Sequence, residues 1–287
     1  MNRTFNSRVY LVLTFLWAAL FCRAAFAADI VIYGDSQSDA AAQRKVVRAI
    51  MQVKPAIVFR VGDIVNDGDD PGQWELFRKI AAPLLKSAEY FPALGNHDGD
   101  SRLYFENFPY IRNRRWYSLD RMGVHFIILD SNSDLSPESI QYRWLESDLQ
   151  KAGRDSFKIV LLHHPLYSVG SHREDEKGLR PGLVPLFAKY GVCAVFSGHD
   201  HNYQRFLRGN VYYIVTGGGG SPLYERTRDS PHLNKFVKAY HFCLLSPQGN
   251  VLKVSVFDDI LNEIDSFNIP ANPALRLEDA QALSPGK

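Results

Sequence analysis

Short apolar runs alternate with amphipathic stretches along this chain, and several runs end in Gly followed by a polar residue. Asp29 to Tyr33 predicts a short buried strand. Asp39 to Val53 predicts a helix capped by Asp39, with Val46, Ile50 and Val53 at helical spacing. Ala56 to Val61 predicts a second buried strand, Trp74 to Lys86 a second helix and Tyr90 to Leu94 a third strand. Trp116 to Leu119 and Val124 to Leu129 read as a strand pair around Met122-Gly123. A helix is expected from Ser136 and Pro137, with Ile140, Trp144 and Leu149 on its inner face, ending near Gly153. Phe157 to Leu162 and Val192 to Phe196 read as strands. Between them lies a helix carrying Leu183, Leu186, Phe187 and Tyr190, stopped by Gly191. Strand and helix in turn follow the logic of an α/β crossover fold.

The last third changes period. Val211 to Thr216, Tyr240 to Leu245, Val251 to Phe257 and Glu263 to Ile269 read as strands joined by turns, which predicts a second, antiparallel-rich sheet. Residues 270–287 are poor in large apolar side chains and read as a loose tail. At the other end, Arg3 and Arg8 precede a charge-free apolar run, Val9 to Phe21, and then Ala25-Phe26-Ala27. The run is short for a bilayer, and the order reads as a secretory signal peptide over 1–27. No linker interrupts the middle, so one domain is expected over 28–269.

Removing the signal segment leaves 30 basic residues against 31 acidic ones. That balance offers no electrostatic footprint for bulk nucleic acid or anionic membrane, and no stable membrane anchor is expected after cleavage. Cys193 and Cys243 both sit in apolar strand-like runs. Export would permit a disulfide, but buried free thiols are the favoured reading.

The chemistry concentrates in five segments: Gly34-Asp35-Ser36-Gln37, Gly62-Asp63-Ile64-Val65-Asn66, Gly95-Asn96-His97-Asp98, His163-His164-Pro165 and Gly198-His199-Asp200-His201. Each follows an apolar, strand-like run. One Gly-Asp alone is more often a turn, and one His on an apolar strand is more often a core residue. Five such segments in order reverse both priors and point to a metal site, with donors suited to two cations. A shared carboxylate holds two cations roughly 3.5–4 Å apart. Asn96 offers a neutral hard oxygen. His97 beside it would reach substrate, with Asp98 accepting from its ring to hold the tautomer. Alternation along an extended stretch would place His199 and His201 on one side. His172, in a polar loop, is either a substrate contact or an exposed loop His. Gly217 to Gly220 could cradle an anion or simply turn. Tyr104, Phe105, Phe108 and Tyr110 wall a pocket or fill a core.

This motif order resembles the calcineurin-like metallophosphoesterases from about Asp29 to Phe267. Trp116-Tyr117-Ser118, Asp130-Ser131-Asn132, Gln141 to Leu145 and Gly217 to Gly220 are most similar to the purple acid phosphatase-like branch. The resemblance implies an α/β fold, a four-layer α/β/β/α sandwich of two mixed sheets flanked by helices. It implies one metal on Asp35, Asp63 and His201 and another on Asp63, Asn96, His163 and His199, with Asp63 bridging and His164 either structural or a support behind the ligands. It further implies a phosphomonoesterase that hydrolyses a small-molecule phosphate ester by attack of a metal-bound hydroxide, and the signal segment would make it exported, periplasmic or secreted. Asn96, His97 and His172 would contact substrate, and His97 with Asp98 would serve catalysis. A phosphodiesterase or nucleotide hydrolase with the same centre is the alternative, and a metal-bearing binding protein a third reading. Two residues depart from the pattern. Gln37 stands where many members have His, and its amide oxygen would coordinate more weakly. Asn66 stands where purple acid phosphatases have Tyr. Without a phenolate ligand, ferric iron loses its best argument and Mn²⁺, Fe²⁺ or Zn²⁺ are open.

Overall fold

The computed structural model describes residues 29–152 and 157–271. The signal-peptide reading of 1–27, Gly153 and the tail beyond Ala271 lie outside the described residues. The chain opens with strand β1 (Ile30–Tyr33), helix α1 (Ala40–Val53), strand β2 (Ile57–Arg60), helix α2 (Pro71–Ser87) and strand β3 (Glu89–Pro92). Helix α3 (Arg102–Asn107), strands β4 (Tyr117–Arg121) and β5 (Val124–Ile128) and helix α4 (Ile140–Lys151) follow. Next come strand β6 (Phe157–Leu161), helix α5 (Arg180–Tyr190) and strand β7 (Ala194–Ser197). The remainder is strands: β8 (Tyr203–Arg208), β9 (Val211–Thr216), β10 (Leu233–Val237), β11 (His241–Gln248), β12 (Val251–Asp258) and β13 (Glu263–Pro270).

These strands form two mixed sheets. One runs β13-β12-β11-β1-β2-β3 and the other β10-β8-β9-β7-β6-β5-β4. Each has a parallel block: β1, β2 and β3 in the first, and β5, β6, β7 and β9 in the second. The period-2 alternation of a buried strand sorts the second sheet's side chains. Phe126, Ile128, Ile159 and Phe196 enter the large core shared with the first sheet, whereas Ile127, Leu129, Val160 and Val195 meet Leu145 and Leu149 of α4 and Leu183 and Phe187 of α5. Val46 and Ile50 of α1 and Trp74 and Phe77 of α2 close the first sheet. The result is the expected four-layer α/β/β/α sandwich. Burying one such side chain is worth about 1.5–3 kcal/mol. A one-residue slip would turn a whole strand inside out, so register is strongly specified.

Several local expectations need correction. The C-terminal strands do not form a sheet of their own. β11 pairs antiparallel with β1 and extends the first sheet through β12 and β13, while β9 lies beside β7 in the other. β8 and β10 were not anticipated, because Gln204 and Arg205 are polar residues buried in β8 and break the apolar signal. Helix α4 begins at Ile140, where the Ser139 hydroxyl accepts the Tyr142 N–H (3.1 Å). Ile140 points outward at 72% exposure, and the buried stripe is Gln141, Leu145 and Leu149, with Trp144 half-buried. Gln141 takes the inner position because its amide pairs with the Asp130 backbone N–H and carbonyl (2.8 and 3.0 Å). Tyr104 and Phe108 pack against Trp74 in the core, and Phe108 and Tyr110 also line a cavity with Tyr90 and Phe91. Cys193 and Cys243 are buried free thiols. Among the described residues, no helix is long and apolar enough to cross a membrane.

One polar cluster ties the second sheet's edge to α4. His125, paired across the strands with Asp120, bonds Asp120 through Nδ1 (2.8 Å) and Asp148 through Nε2 (2.9 Å), and Ser118 donates to Asp148 (2.8 Å). The hydrogen bond to Asp148, then that to Asp120, raises the imidazole above its ordinary 6.5 against the opposing effect of burial. A raised folded pKa contributes stability that is complete below the unfolded value and is lost as pH rises through the folded one. The melting temperature of the wild type should therefore exceed that of His125→Gln most below about pH 6 and converge with it at alkaline pH. Thermal melts of both proteins from about pH 5 to 9 test this, and a pH-independent gap would contradict it.

Candidate metal centre

The parallel strands of both sheets end at one place. Asp35 follows β1, Asp63 follows β2 and Asn96 follows β3, while His163 follows β6 and His199 and His201 follow β7. Each sheet thus contributes half of the donors, and stacking the sheets brings the halves together. A straight strand cannot turn its last side chain across its own end. Asp35, Asp63 and His199 solve this with positive φ angles of 60, 50 and 71°, a region that costs non-glycine residues roughly 1–3 kcal/mol. Glycines make room for them. A Cβ on Gly95 would lie 2.1 Å from Asp63 Oδ1, and one on Gly198 would lie 2.3 Å from Asp35 Oδ2.

Four donor atoms converge on one point. His163 Nε2 lies 2.8 Å from Asn96 Oδ1, 3.2 Å from His199 Nδ1 and 3.3 Å from Asp63 Oδ2. His163 Nδ1 donates to the Val61 carbonyl (2.9 Å), which leaves Nε2 with a lone pair in the neutral ring. Lone pairs of an amide oxygen, a carboxylate and two imidazoles facing one another repel unless a cation or a proton sits among them. Beside this group, Asp35 Oδ1 lies 3.7 Å from His201 Nε2, and His201 Nδ1 donates to the Pro222 carbonyl (2.9 Å). Asp35, Asp63 and His163 have ligand atoms within 4.8 Å of one another.

Burial and mutual charge set the electrostatics of these groups. Burial, the largest effect, lifts the Asp35 carboxyl to about 8 against the pull of His163. Burial opposes ionisation of Asp63 too, but the His163 imidazole outweighs it and holds this carboxyl at about 2. Burial works against a charged His163 ring, yet Asp63 and then Asp35 overcome it and raise the imidazole to about 10. Burial keeps His201 neutral, at about 4, and His199 neutral at about 2, as ligand imidazoles must be. Two buried polar atoms, Asp35 Oδ2 and His199 Nε2, lack a hydrogen-bond partner. The Glu176 carboxylate lies 3.2 Å from that Nε2 without hydrogen-bonding geometry. The orphaned Asp35 oxygen and the convergent carboxylate, amide and imidazole donors fit divalent cations such as Mn, Fe or Zn.

Other expected residues take different parts. Gln37 turns its amide nitrogen to Asp63 Oδ2 (3.2 Å), because the Ser221 hydroxyl claims its oxygen (2.6 Å). As placed, its amide nitrogen and not its oxygen faces the Asp63 carboxylate. His97 is exposed, and its Nδ1 bonds the Asn66 carbonyl (3.0 Å), not Asp98. Asp98 is buried and accepts the N–H groups of Ile64, Val65 and Gly95 (2.8, 3.2 and 2.9 Å). It staples the second loop to the third and does not orient His97, because those N–H groups fill its oxygens. His199 and His201 do not alternate along a strand. The segment folds through two tight turns, Asp200 N–H to Gly198 and Asn202 N–H to Asp200. The run Gly217 to Gly220 is buried and packs against the first loop, Gly219 N–H donating to Gly34 (2.7 Å). His164 bonds Ser131 through Nδ1 (2.8 Å).

His172 does reach the rim. It stacks on His199 (3.8 Å between centroids) and bonds Asp200 through Nδ1 (3.2 Å). Sequence reasoning missed Glu176 beside it and Tyr224, which stacks on His201 at 4.2 Å. No local pattern marks either, since both sit in irregular polar loops far along the chain from their partners.

The calcineurin-like phosphoesterase family model matches residues 28–203. Purple acid phosphatase 22 of Arabidopsis thaliana is 34% identical over 194 residues, covering 56% of this chain and 43% of the plant protein. Phosphoenolpyruvate phosphatase of Allium cepa is 34% identical over 207 residues, covering 62% of this chain and 42% of its own. The chain spans about half the length of the curated relatives it matches. Among solved structures, purple acid phosphatase PPD1 from yellow lupin superposes with a TM-score of 0.74 at 22% identity, over 84% of this chain and 53% of that one. GAP50, an anchor in the inner membrane complex of Plasmodium, does so with 0.72 at 19%, over 90% and 95%. The fold therefore serves proteins of unlike roles.

Removing the Asp98 carboxylate would orphan three buried N–H groups, at about 1–3 kcal/mol for each unsatisfied group. Asp98→Ala should lower the unfolding free energy by more than about 2 kcal/mol in urea titration of the metal-free protein. A loss below about 0.5 kcal/mol, the range of an ordinary surface substitution, would remove the staple. The family match over more than half its length, on donors drawn from both sheets, makes this chain a member of the calcineurin-like phosphoesterase family, with relatives on the purple acid phosphatase branch.

Proposed function

We propose that the chain is an exported, metal-dependent phosphomonoesterase acting on small-molecule phosphate esters. The observation that carries this reading is the convergence of Asp63, Asn96, His163 and His199 on one point, with His97 exposed beside them. Asp35, Asp63 and His201 would hold one cation, and Asp63, Asn96, His163 and His199 the other. When bound, the cations supply Lewis-acid stabilisation of phosphoryl charge and a lowered pKa for the attacking water. The protein's own groups do the rest. The Asn66 carbonyl fixes His97 Nδ1 as a donor and leaves Nε2 to carry the proton that the departing alkoxide needs. The hydrogen bond that His172 donates to Asp200 raises its imidazole against burial, favouring the charged ring that a phosphate attracts. Gln37 N–H donates to Asp63 and holds the shared carboxylate in place. The basic, then apolar, then small-residue order of residues 3 to 27 supports export. The purple acid phosphatases among the relatives support the reaction class.

Protein purified without chelator should contain transition metal and hydrolyse p-nitrophenyl phosphate in the presence of Mn²⁺ or Zn²⁺. A metal-loaded sample inactive on it and on bis-p-nitrophenyl phosphate would overturn the reading. Chelation should abolish activity and lower the melting temperature, since a ligand of the native state alone stabilises it. His97→Ala should lower kcat by about 10²–10⁴-fold while metal content stays at the wild-type level. Parallel loss of metal and activity would instead make His97 a structural residue.

A further inference from the structure

Beside the centre lies a cavity of about 370 Å³. Its polar wall is Ser36, Gln37, Ser38, Gln43, Asn66 and Gln73, and Leu76 and Phe77 form an apolar side. Three of these residues join it to the reacting region. Gln37 donates to Asp63 Oδ2, the Ser36 N–H donates to the Asp63 carbonyl (3.0 Å), and Asn66 holds the His97 ring. The cavity therefore shares its wall with the loops that carry Asp63 and His97.

The lining has a definite chemistry. It offers carboxamides and hydroxyls next to aliphatic and aromatic carbon, and none of the described residues lining it is charged. The wall is also braced. Gln73 Oε1 accepts the Asn66 and Asp67 N–H groups (2.9 and 3.1 Å), and Gln43 Nε2 donates to Ser36 Oγ (3.1 Å). A braced wall need not be ordered on binding, which favours recognition. A carboxylate or second phosphate placed here would lose water and meet no charged side chain on the wall itself, the one guanidinium behind it, Arg60, being buried and bonded to Ser36 Oγ (2.8 Å). The volume lies within the range of pockets that enclose small molecules.

We propose that this cavity receives the alcohol portion of the substrate, an uncharged, hydroxyl-bearing group of sugar or nucleoside size. The proposal rests on the phosphatase reading above. It makes Ser38 and Leu76, on the accessible part of the wall, determinants of which ester is cleaved. Ser38 is exposed and Leu76 is 40% exposed, so both tolerate substitution without disturbing the core.

Ser38→Trp fills the cavity, and Leu76→Lys places an ammonium in it. kcat/KM would be measured for adenosine 5′-monophosphate and for phosphoenolpyruvate with each protein. Ser38→Trp should lower the value for the nucleotide about tenfold or more relative to that for phosphoenolpyruvate. Leu76→Lys should shift the ratio toward phosphoenolpyruvate, and this shift should shrink as salt is raised. Equal factors on both esters in both variants would overturn the proposal while leaving the phosphatase reading intact. A second readout needs no turnover. Titrating adenosine into metal-free protein should move the side-chain amide resonances of Gln37, Gln43 and Asn66 in the wild type and not in Ser38→Trp. Amide shifts without hydrolysis of any ester would keep the ligand class and refute the phosphatase reading. Unmoved amides in the wild type would refute the ligand class.

Discussion

Two carboxylates held side by side out of water constrain everything around them. Asp35 and Asp63 are almost fully buried and meet in one desolvated cleft, where like charges cannot both persist without a positive partner. The neighbouring groups are arranged to tolerate that demand. His163 and His201 tie Nδ1 back to the carbonyls of Val61 and Pro222, so Nε2 faces inward. Asn96 adds a donor atom without adding charge. The backbone N–H groups of His97 and His199 donate to Asp63 and Asp35 (3.0 and 2.9 Å), supplying partial positive charge from fixed dipoles.

The same demand shapes the backbone. Left-handed residues at Asp35, Asp63 and His199 are strained, and strain persists only where the surroundings over-determine it. Asp98 supplies part of that determination by joining two of the loops, and Gly95 and Gly198 allow the approach. The remainder comes from the core between the sheets. Because the first sheet carries Asp35, Asp63 and Asn96 and the second carries His163, His199 and His201, apolar packing far from the chemistry sets the donor distances.

Most of the architecture was legible in the chain. Buried strands ending in Gly-Asp, Gly-Asn-His or Gly-His announced both the parallel blocks and the donors, because each is a short local pattern. The errors share one cause. Helix α4 was turned by one residue because Gln141 looks like a surface residue until its partner, the Asp130 backbone, is known. Asp98 was given to His97 because adjacency is visible in sequence, whereas the N–H groups of Ile64 and Val65 lie more than thirty positions away. His199 and His201 were brought together by an alternation that the chain does not use there.

Residue types and their order determined the inventory: hard oxygens and imidazoles at the ends of apolar runs, and no charge excess to suggest a polyanionic partner. Which atom of each donor faces inward was decided only in three dimensions. So was the sheet each strand joins, and so were the roles of Glu176 and Tyr224 at the rim. Ligand chemistry belongs to a side chain wherever it stands, but its direction depends on backbone torsions and on contacts between segments remote in the chain.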